Sequence, residues 1–403
     1  MGFKALGGVR VLEYCHGISG PHCTKLMADL GAEVVHIEVP GRGDDTRRLP
    51  PFPGDVPHEE KSGLFLSLNT NKLGITLNPR LPAGNEIFRR LASTVDVLVE
   101  DWAPGHLEEM GLGYEDLRRL NPGLVMASIT PFGRSGPYKG YKAYGLNLSH
   151  GSGQGYMLPL LSPHLERPPV KIGGSCTDYD SGQTTAVAIL AALYSRAITG
   201  KGQFIEVSQQ EAVLSLQRIE NVVFANSGEI LTRKGPEGER IVTQMFECKD
   251  GHVVSVAPLE HQKKALAKLP EADGPAQAAG EDSTGSSQNS EVLRERLSAW
   301  MRQHTTEEIC TKGQSLGVPI SPISSPKDVA TSKQMNGRGF FAEVEHPVAG
   351  KLRMPARPCH FSRTPFALER AAPLLGEHNE IIYCERLGYD KQELRALQET
   401  GVI

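Results

Sequence analysis

The chain has 403 residues, 39% of them apolar and 22% charged, which suits a globular protein with a sizeable core. The length is too great for one ordinary core, so two domains, or one large domain with a smaller one inserted, are expected. The formal net charge of -4 provides no strong field for nucleic acid or an anionic membrane, and an anionic ligand must be held by local donors.

The opening segment MGFKALGGVRVLEYC lacks signal-peptide architecture, and Leu6 occupies the place where myristoylation wants Ser or Thr. No run approaches the roughly 20 apolar residues of a membrane helix. The seven cysteines are scattered, with no CxxC pair. Reduced thiols in a cytoplasmic protein are expected, without a zinc site.

Residues 8–37 read strand, loop, helix, strand. Val9-Arg10-Val11-Leu12 is β-rich, Gly17-Ile18-Ser19-Gly20-Pro21 is a turn, Cys23 to Leu30 has helical spacing, and Val34-Val35-His36-Ile37 is the next strand. That is the βαβ unit of a parallel sheet. Strands at 74–77, 95–100 and 124–129 alternate with helical patterns, which points to a doubly wound α/β domain. One long apolar helix is expected over 178–197, ending at Thr199-Gly200-Lys201-Gly202, followed by a strand at 203–208 and a second long helix from Gln209 to Asn226. A large α/β domain over 1–226, a linker at 227–240, a small α+β domain at 241–330 and a return to the large domain over 331–403 complete the expected organisation. The small domain should hold a hairpin at 243–257, a loop at 269–290 that is poor in residues to bury, and helices at 291–303 and 305–316. A C-terminal helix starts near Asp390.

Several segments carry candidate chemistry. Asp178 stands in Gly173-Gly174-Ser175-Cys176-Thr177-Asp178-Tyr179-Asp180, a small-residue loop running into the long helix. An acid at a helix start commonly serves as a cap, and residue types alone do not separate Asp178 from Asp180. His16 and Gly17 follow the first strand, where α/β proteins place ligand loops. That loop is not GxGxxG, and no GxSxG elbow occurs in the chain, so neither a nicotinamide dinucleotide site nor a Ser/His/Asp hydrolase is supported. The run Gly41-Arg42-Gly43-Asp44-Asp45-Thr46-Arg47-Arg48 concentrates cations and turn residues, as a solvated loop or a phosphate contact would.

Taken in order, VRVLEYCHGISGP (9–21), ADLGAEVVHIEVPGRGDDTR (28–47), NTNKLGITL (69–77), VEDWAPGHLEEMGLGYEDLRRLNPGLVMASITPFGRSGPY (99–138), the Asp178 segment, LYSRAITGKGQFIEVSQQEAV (193–213) and APLLGEHNEIIYCERLGY (372–389) resemble the class III CoA-transferases, the CaiB/BaiF family that includes formyl-CoA transferase. The resemblance implies a Rossmann-like large domain built from both chain ends, an inserted small domain and an interlocked dimer. It implies that CoA passes from an acyl-CoA to a carboxylic acid through aspartyl anhydride and aspartyl-CoA thioester intermediates, with no metal or other cofactor. The family's nucleophile lies a fixed distance before a TGRGQ-like turn. Counting back from Thr199-Gly200-Lys201-Gly202-Gln203 reaches Asp178 rather than Asp180. Gly17, Ile18 and Tyr144 match positions around that centre. His16, Arg42, Arg47, Asn71, Lys72, Leu73, Asp101, Trp102 and Lys142 fall where CoA contacts are expected. The related 2-methylacyl-CoA racemases carry histidine where Tyr144 stands, so a racemase is the weaker alternative.

Three positions depart from the pattern. Ala103 and Leu73 replace cations, and Glu109 reverses a charge in the helix that follows. The glycine-rich lid of formyl-CoA transferase has only Lys234-Gly235-Pro236-Glu237-Gly238 as a counterpart. Charge-assisted hydrogen bonds contribute roughly 1.5–3 kcal/mol each, so these changes should weaken a phosphate grip. Other cations could compensate in a homodimer. Alternatively, the chain could be the catalytic subunit of a heteromer of the benzylsuccinate CoA-transferase type, with succinyl-CoA as donor and a homologous partner holding CoA.

Overall fold

The computed structural model describes residues 3–160, 162, 164–216, 218–235, 243–270 and 287–403. Most of the 269–290 loop and the ends of the linker and of the 234–238 segment lie outside these residues. The described residues divide into two compact units, one drawn from 1–160, 168–233 and 338–403, the other from 161–167 and 234–337. The second unit thus takes in 161–167 as well, and the chain returns to the first unit at 338 rather than 331.

The first unit begins β1 (Arg10–Tyr14), α1 (Ser19–Asp29), β2 (Glu33–Glu38), α2 (Gly63–Leu68), β3 (Leu73–Thr76), α3 (Pro82–Ala92), β4 (Val97–Glu100), α4 (His106–Glu109), α5 (Tyr114–Leu120) and β5 (Val125–Thr130). It continues with α6 (Gly145–Gly151), α7 (Cys176–Thr199), β6 (Phe204–Ser208), α8 (Gln209–Leu214) and α9 (Arg218–Ser227). The expected single helix after β6 is therefore broken into two. The six strands form one sheet in the order β3-β2-β1-β4-β5-β6, with every pairing parallel.

Alternation along the strands sends side chains to two cores. Leu12, Tyr14, Leu98 and Met126 enter one, covered by Ile87, Phe88 and Leu91 of α3 and Leu117 of α5. The C-terminal Ile382, Tyr383, Val402 and Ile403 join the same core, so the chain ends close over the first strands. Val11, Val34, Val97, Val99, Val125 and Ala127 face the other core, beneath Cys23 and Met27 of α1 and Ala186 and Ile189 of α7. Both faces of the sheet are covered, as parallel strands of continuous apolar sequence require.

The turn after α7 shows why its glycines are there. Gly200 takes a left-handed φ of 72° as the helix cap, and a Cβ on Gly202 would fall 2.0 Å from the Leu124 carbonyl oxygen. Only glycine lets β6 start that close to β5.

In the second unit, β7 (Thr243–Glu247), β8 (His252–Val256) and β9 (Ile320–Pro322) form an antiparallel sheet. It is packed by α10 (Glu260–Ala267), α11 (Ser287–Met301) and α12 (Thr306–Ser315) around Phe246, Leu297, Met301 and Ile309. The short α13 (Pro326–Thr331) and α14 (Lys333–Gly337) close it. Back in the first unit come the hairpin β10 (Phe341–His346) and β11 (Gly350–Pro355), then α15 (Lys391–Glu399), capped by Asp390. No helix among the described residues is long and apolar enough to cross a membrane.

Candidate active site

The strand order reverses between β1 and β4. In open α/β sheets, ligands settle in the crevice outside the carboxyl ends of such a pair. Here the loops leaving β1 and β4 are stitched together. The Cys15 thiol donates to the Val99 carbonyl oxygen at 3.2 Å. The His16 backbone N–H donates to Asp101 Oδ1 at 2.9 Å, and its Nδ1 lies 2.7 Å from the same oxygen. Asp101 holds the His16 imidazole up to about 9, so it is charged at neutral pH.

An aromatic stack lines the same crevice. The Trp102 ring lies 4.7 Å from His16, 5.1 Å from Tyr14 and 4.3 Å from His106, centroid to centroid. Its Nε1 donates to the Tyr14 carbonyl oxygen at 3.0 Å. Arg80 adds a cation at the end of the stack, with Nη2 at 3.2 Å from His106 Nδ1.

Asp178 reaches this edge because α7 precedes β6. A crossover helix runs antiparallel to its strands, so its first turn lies at their carboxyl ends. The Asp178 carboxylate meets Gln209, the first residue of α8, whose Nε2 lies 3.4 Å from Oδ1. The same nitrogen donates to Ser19 Oγ at 2.7 Å. The Gln209 amide thus joins α8 to the Asp178 carboxylate of α7 and to Ser19 of α1. Burial pushes the Asp178 carboxyl up, while the Gln209 hydrogen bond and the Lys171 charge oppose it. Asp101 adds a smaller upward push, which ties Asp178 to the β1–β4 crevice electrostatically.

Close approach of α1 to α7 depends on Gly182. A Cβ there would sit 2.6 Å from the Ser19 carbonyl oxygen and 3.2 Å from the His22 ring. His22 also meets the Tyr179 ring edge-on at 4.8 Å, and burial holds its imidazole down at about 4, hence neutral. At the start of α1, Ile18 supplies no side-chain cap. Pro21 has no N–H and the His22 N–H donates to the Ile18 carbonyl oxygen, so the Ser19 and Gly20 N–H groups are the donors at the positive end of this 11-residue helix. A carboxylate beside such a helix start can act as a nucleophile while the amides receive developing negative charge.

The structure brings His16, Gly17, Ile18, Asp101, Trp102 and Asp178 to this edge. Tyr144 immediately precedes Gly145, where a Cβ would lie 3.3 Å from Asp178 Oδ2. The Tyr144 side chain itself is exposed, as is Lys142 in the same loop. Arg42 is exposed and paired with Asp45 at 2.9 Å.

Three expected CoA contacts, Arg47, Lys72 and Asn71, have their side chains engaged within the protein. Arg47 is buried, bound by Glu38 at 2.6 Å and Glu60 at 2.6 Å, and lies over the Phe65 ring. Lys72 is buried too, with Nζ at 2.8 Å from Glu13 Oε2 and 2.9 Å from the Pro21 carbonyl oxygen. It anchors the first turn of α1 through the Pro21 carbonyl oxygen. Asn71 spends its amide on the Asp29 carboxylate and the Ala367 carbonyl oxygen, each at 2.7 Å, and its Oδ1 on the 369 and 370 backbone. Leu73 is a buried β3 residue. Conversely, sequence reasoning overlooked Ser19, Gln209, His22 and Arg80. For Gln209 a signal existed, since the residue after β6 must share an edge with the start of the helix leading into β6.

Comparison with known proteins gives the family. The model of CoA-transferase family III matches residues 6–379. A protein of Mus musculus named succinyl-CoA:glutarate CoA-transferase is 35% identical over 407 residues, spanning 99% of this chain and 90% of its own length. A Rhodopseudomonas palustris (strain BisA53) protein named formyl-CoA:oxalate CoA-transferase is 31% identical over 427 residues, spanning 99% and 97%. The crystal structure of a CaiB/BaiF family protein from Brucella suis superposes with a TM-score of 0.81 at 30% identity, covering 95% of this chain and 99% of that one. The chain belongs to CoA-transferase family III and is a transferase of that class.

Proposed function

We propose that this enzyme moves CoA from an acyl-CoA to a carboxylic acid, with Asp178 as the covalent nucleophile. The observation that carries the reading is the Asp178 carboxylate hydrogen-bonded by Gln209, whose amide is in turn tied to Ser19 at the start of α1. An oxygen of Asp178 attacks the thioester carbonyl carbon, the C–S bond breaks, and CoA leaves as thiolate with a mixed anhydride on the enzyme. The thiolate then attacks the aspartyl carbonyl, forming aspartyl-CoA thioester and releasing the first acid as carboxylate. The incoming acid repeats both steps in reverse, so no net proton is consumed. The backbone N–H groups of Gly17 and Ile18 and the first turn of α1 are the donors for the oxyanions; one such donor is worth about 10²–10³ in rate.

The CoA end is assigned to the β1–β4 crevice, where charged His16 and Arg80 supply cations that Ala103 and Glu109 do not. The Trp102 stack offers an apolar wall. The acids in both relatives' names, glutarate and oxalate, are dicarboxylates, so these two and succinate head the panel of acceptors. A homodimer is supported by apolar side chains exposed on α7 (Val187, Tyr194, Ile198) and α9 (Ile219, Val222, Phe224). The heteromeric reading draws on exposed Glu109 alone, and native mass spectrometry of the purified chain separates the two.

The test is an exchange assay with succinyl-CoA and the acid panel. Asp178→Ala should abolish transfer with the fold intact by circular dichroism, whereas Asp180→Ala should retain it. Transfer by a folded Asp178→Ala protein would overturn the proposal.

A further inference from the structure

An aspartate in the first turn of a helix has a competing occupation, which is to turn back and cap the helix. Asp178 does not take it up, since its backbone N–H donates to the Ser175 carbonyl oxygen at 3.0 Å. A nucleophile needs the opposite, with one oxygen fixed and the other directed at the substrate. The Gln209 amide has two hydrogens. Its nitrogen lies 2.7 Å from Ser19 Oγ and 3.4 Å from Asp178 Oδ1, so it has one hydrogen for each. Ser19 is buried and anchors the amide from α1. Ser208, at 3.3 Å from the Glu211 backbone N–H, fixes the start of α8 and with it the base of the Gln209 side chain. On the other side, Oδ2 faces Gly145, which has no side chain to cover it.

We propose that Gln209 is a positioning residue for the nucleophile: it holds Oδ1 of Asp178 and so assigns the attack to Oδ2. The inference rests on Asp178 being the nucleophile. The attacking Oδ2 forms the C–O bond, the thioester C–S bond breaks, and Oδ1 becomes the carbonyl oxygen of the anhydride. The Gln209 hydrogen bond therefore also orients that carbonyl for the returning thiolate.

Two variants test it. Gln209→Met keeps length and removes both donors. Gln209→Glu keeps shape and places a like charge beside Asp178. Loss of one hydrogen bond to a charged group should lower kcat about 10- to 100-fold, with KM for acyl-CoA little changed. The acid limb of the kcat profile should move to higher pH in the Met variant and further in the Glu variant. A residue that merely packs would leave that limb in place. Ser19→Ala, which unanchors the amide, should move the limb in the same direction by less, and it serves should Gln209→Met fail to fold. Rapid mixing with acyl-CoA, read by intact mass, separates this inference from the reading beneath it. If wild type forms no adduct at Asp178, the nucleophile assignment fails. If wild type forms it and the folded variants form it as fast with an unmoved acid limb, the role of Gln209 fails.

Discussion

The approach of α1 to α7 makes Gly182→Ala a severe test of the site's construction. The added methyl would start 2.6 Å from the Ser19 carbonyl oxygen, and ordinary contact begins at 3.4 Å. About 0.8 Å of separation must therefore be found between the helices. Overpacking of this kind costs about 1–3 kcal/mol, read as a lower urea midpoint. The larger effect should fall on activity. Ser19 and the open amides of α1 would move away from Asp178, and a misplacement near 1 Å can cost about 10²-fold in rate. Gly182→Ala should thus lose about 10- to 100-fold in kcat, beyond what its stability loss explains. Ile189→Val supplies the control. It lies in the same helix and is fully buried, should lose about 0.5–1.5 kcal/mol, and should keep its kcat. Full activity and an unchanged midpoint in Gly182→Ala would refute the contact.

The buried group around Glu13 predicts a stability effect away from the chemistry. Glu13 lies 2.8 Å from Lys72 and 3.1 Å from His36, and Thr24 donates to it at 2.6 Å. Glu13→Gln should cost about 3–5 kcal/mol by stranding a buried cation, and a urea titration showing under about 1 kcal/mol would contradict that. Burial pushes the Glu13 carboxyl up, but Lys72 and His36 outweigh it and hold it at about 2, below its ordinary 4.5. Its stabilisation is present above pH 4.5 and is lost as pH falls toward 2. His22, held at about 4 by burial, likewise withdraws stability as pH falls from 6.5 to 4, so His22→Gln should flatten the urea midpoint across that window. His16 has the opposite sign. Asp101 raises it to about 9, so KM for acyl-CoA should rise as pH passes that value, and His16→Gln should show the higher KM at all pH values.

The strand positions and the long α7 were legible because each strand is a short apolar run bounded by turn residues. The Thr199-Gly200-Lys201-Gly202 signal also held, for a reason the structure supplies in the space around Gly202. What sequence could not provide is which charge meets which. Arg47 and Lys72 look like free cations in their own segments. Their partners Glu38, Glu60 and Glu13 lie 9, 13 and 59 residues away and reach them only when the sheet assembles. Gln209 is similar, 31 residues from Asp178. The helix expected over 209–226 reads as continuous because its apolar spacing is unbroken, yet α8 and α9 are separate elements. Asp178 itself was separated from Asp180 by the family spacing. The structure adds a physical difference, because Asp178 has a side-chain donor from another element while Asp180 has its carboxyl raised by burial alone.

The most direct measurement is to trap the enzyme during turnover. The protein is incubated with succinyl-CoA and an acceptor acid, quenched with hydroxylamine, digested, and the peptide containing Asp178 sequenced by mass spectrometry. The account predicts a hydroxamate on Asp178 that requires acyl-CoA and is absent from Asp180. Steady transfer of CoA with Asp178 unmodified at every time point would contradict it.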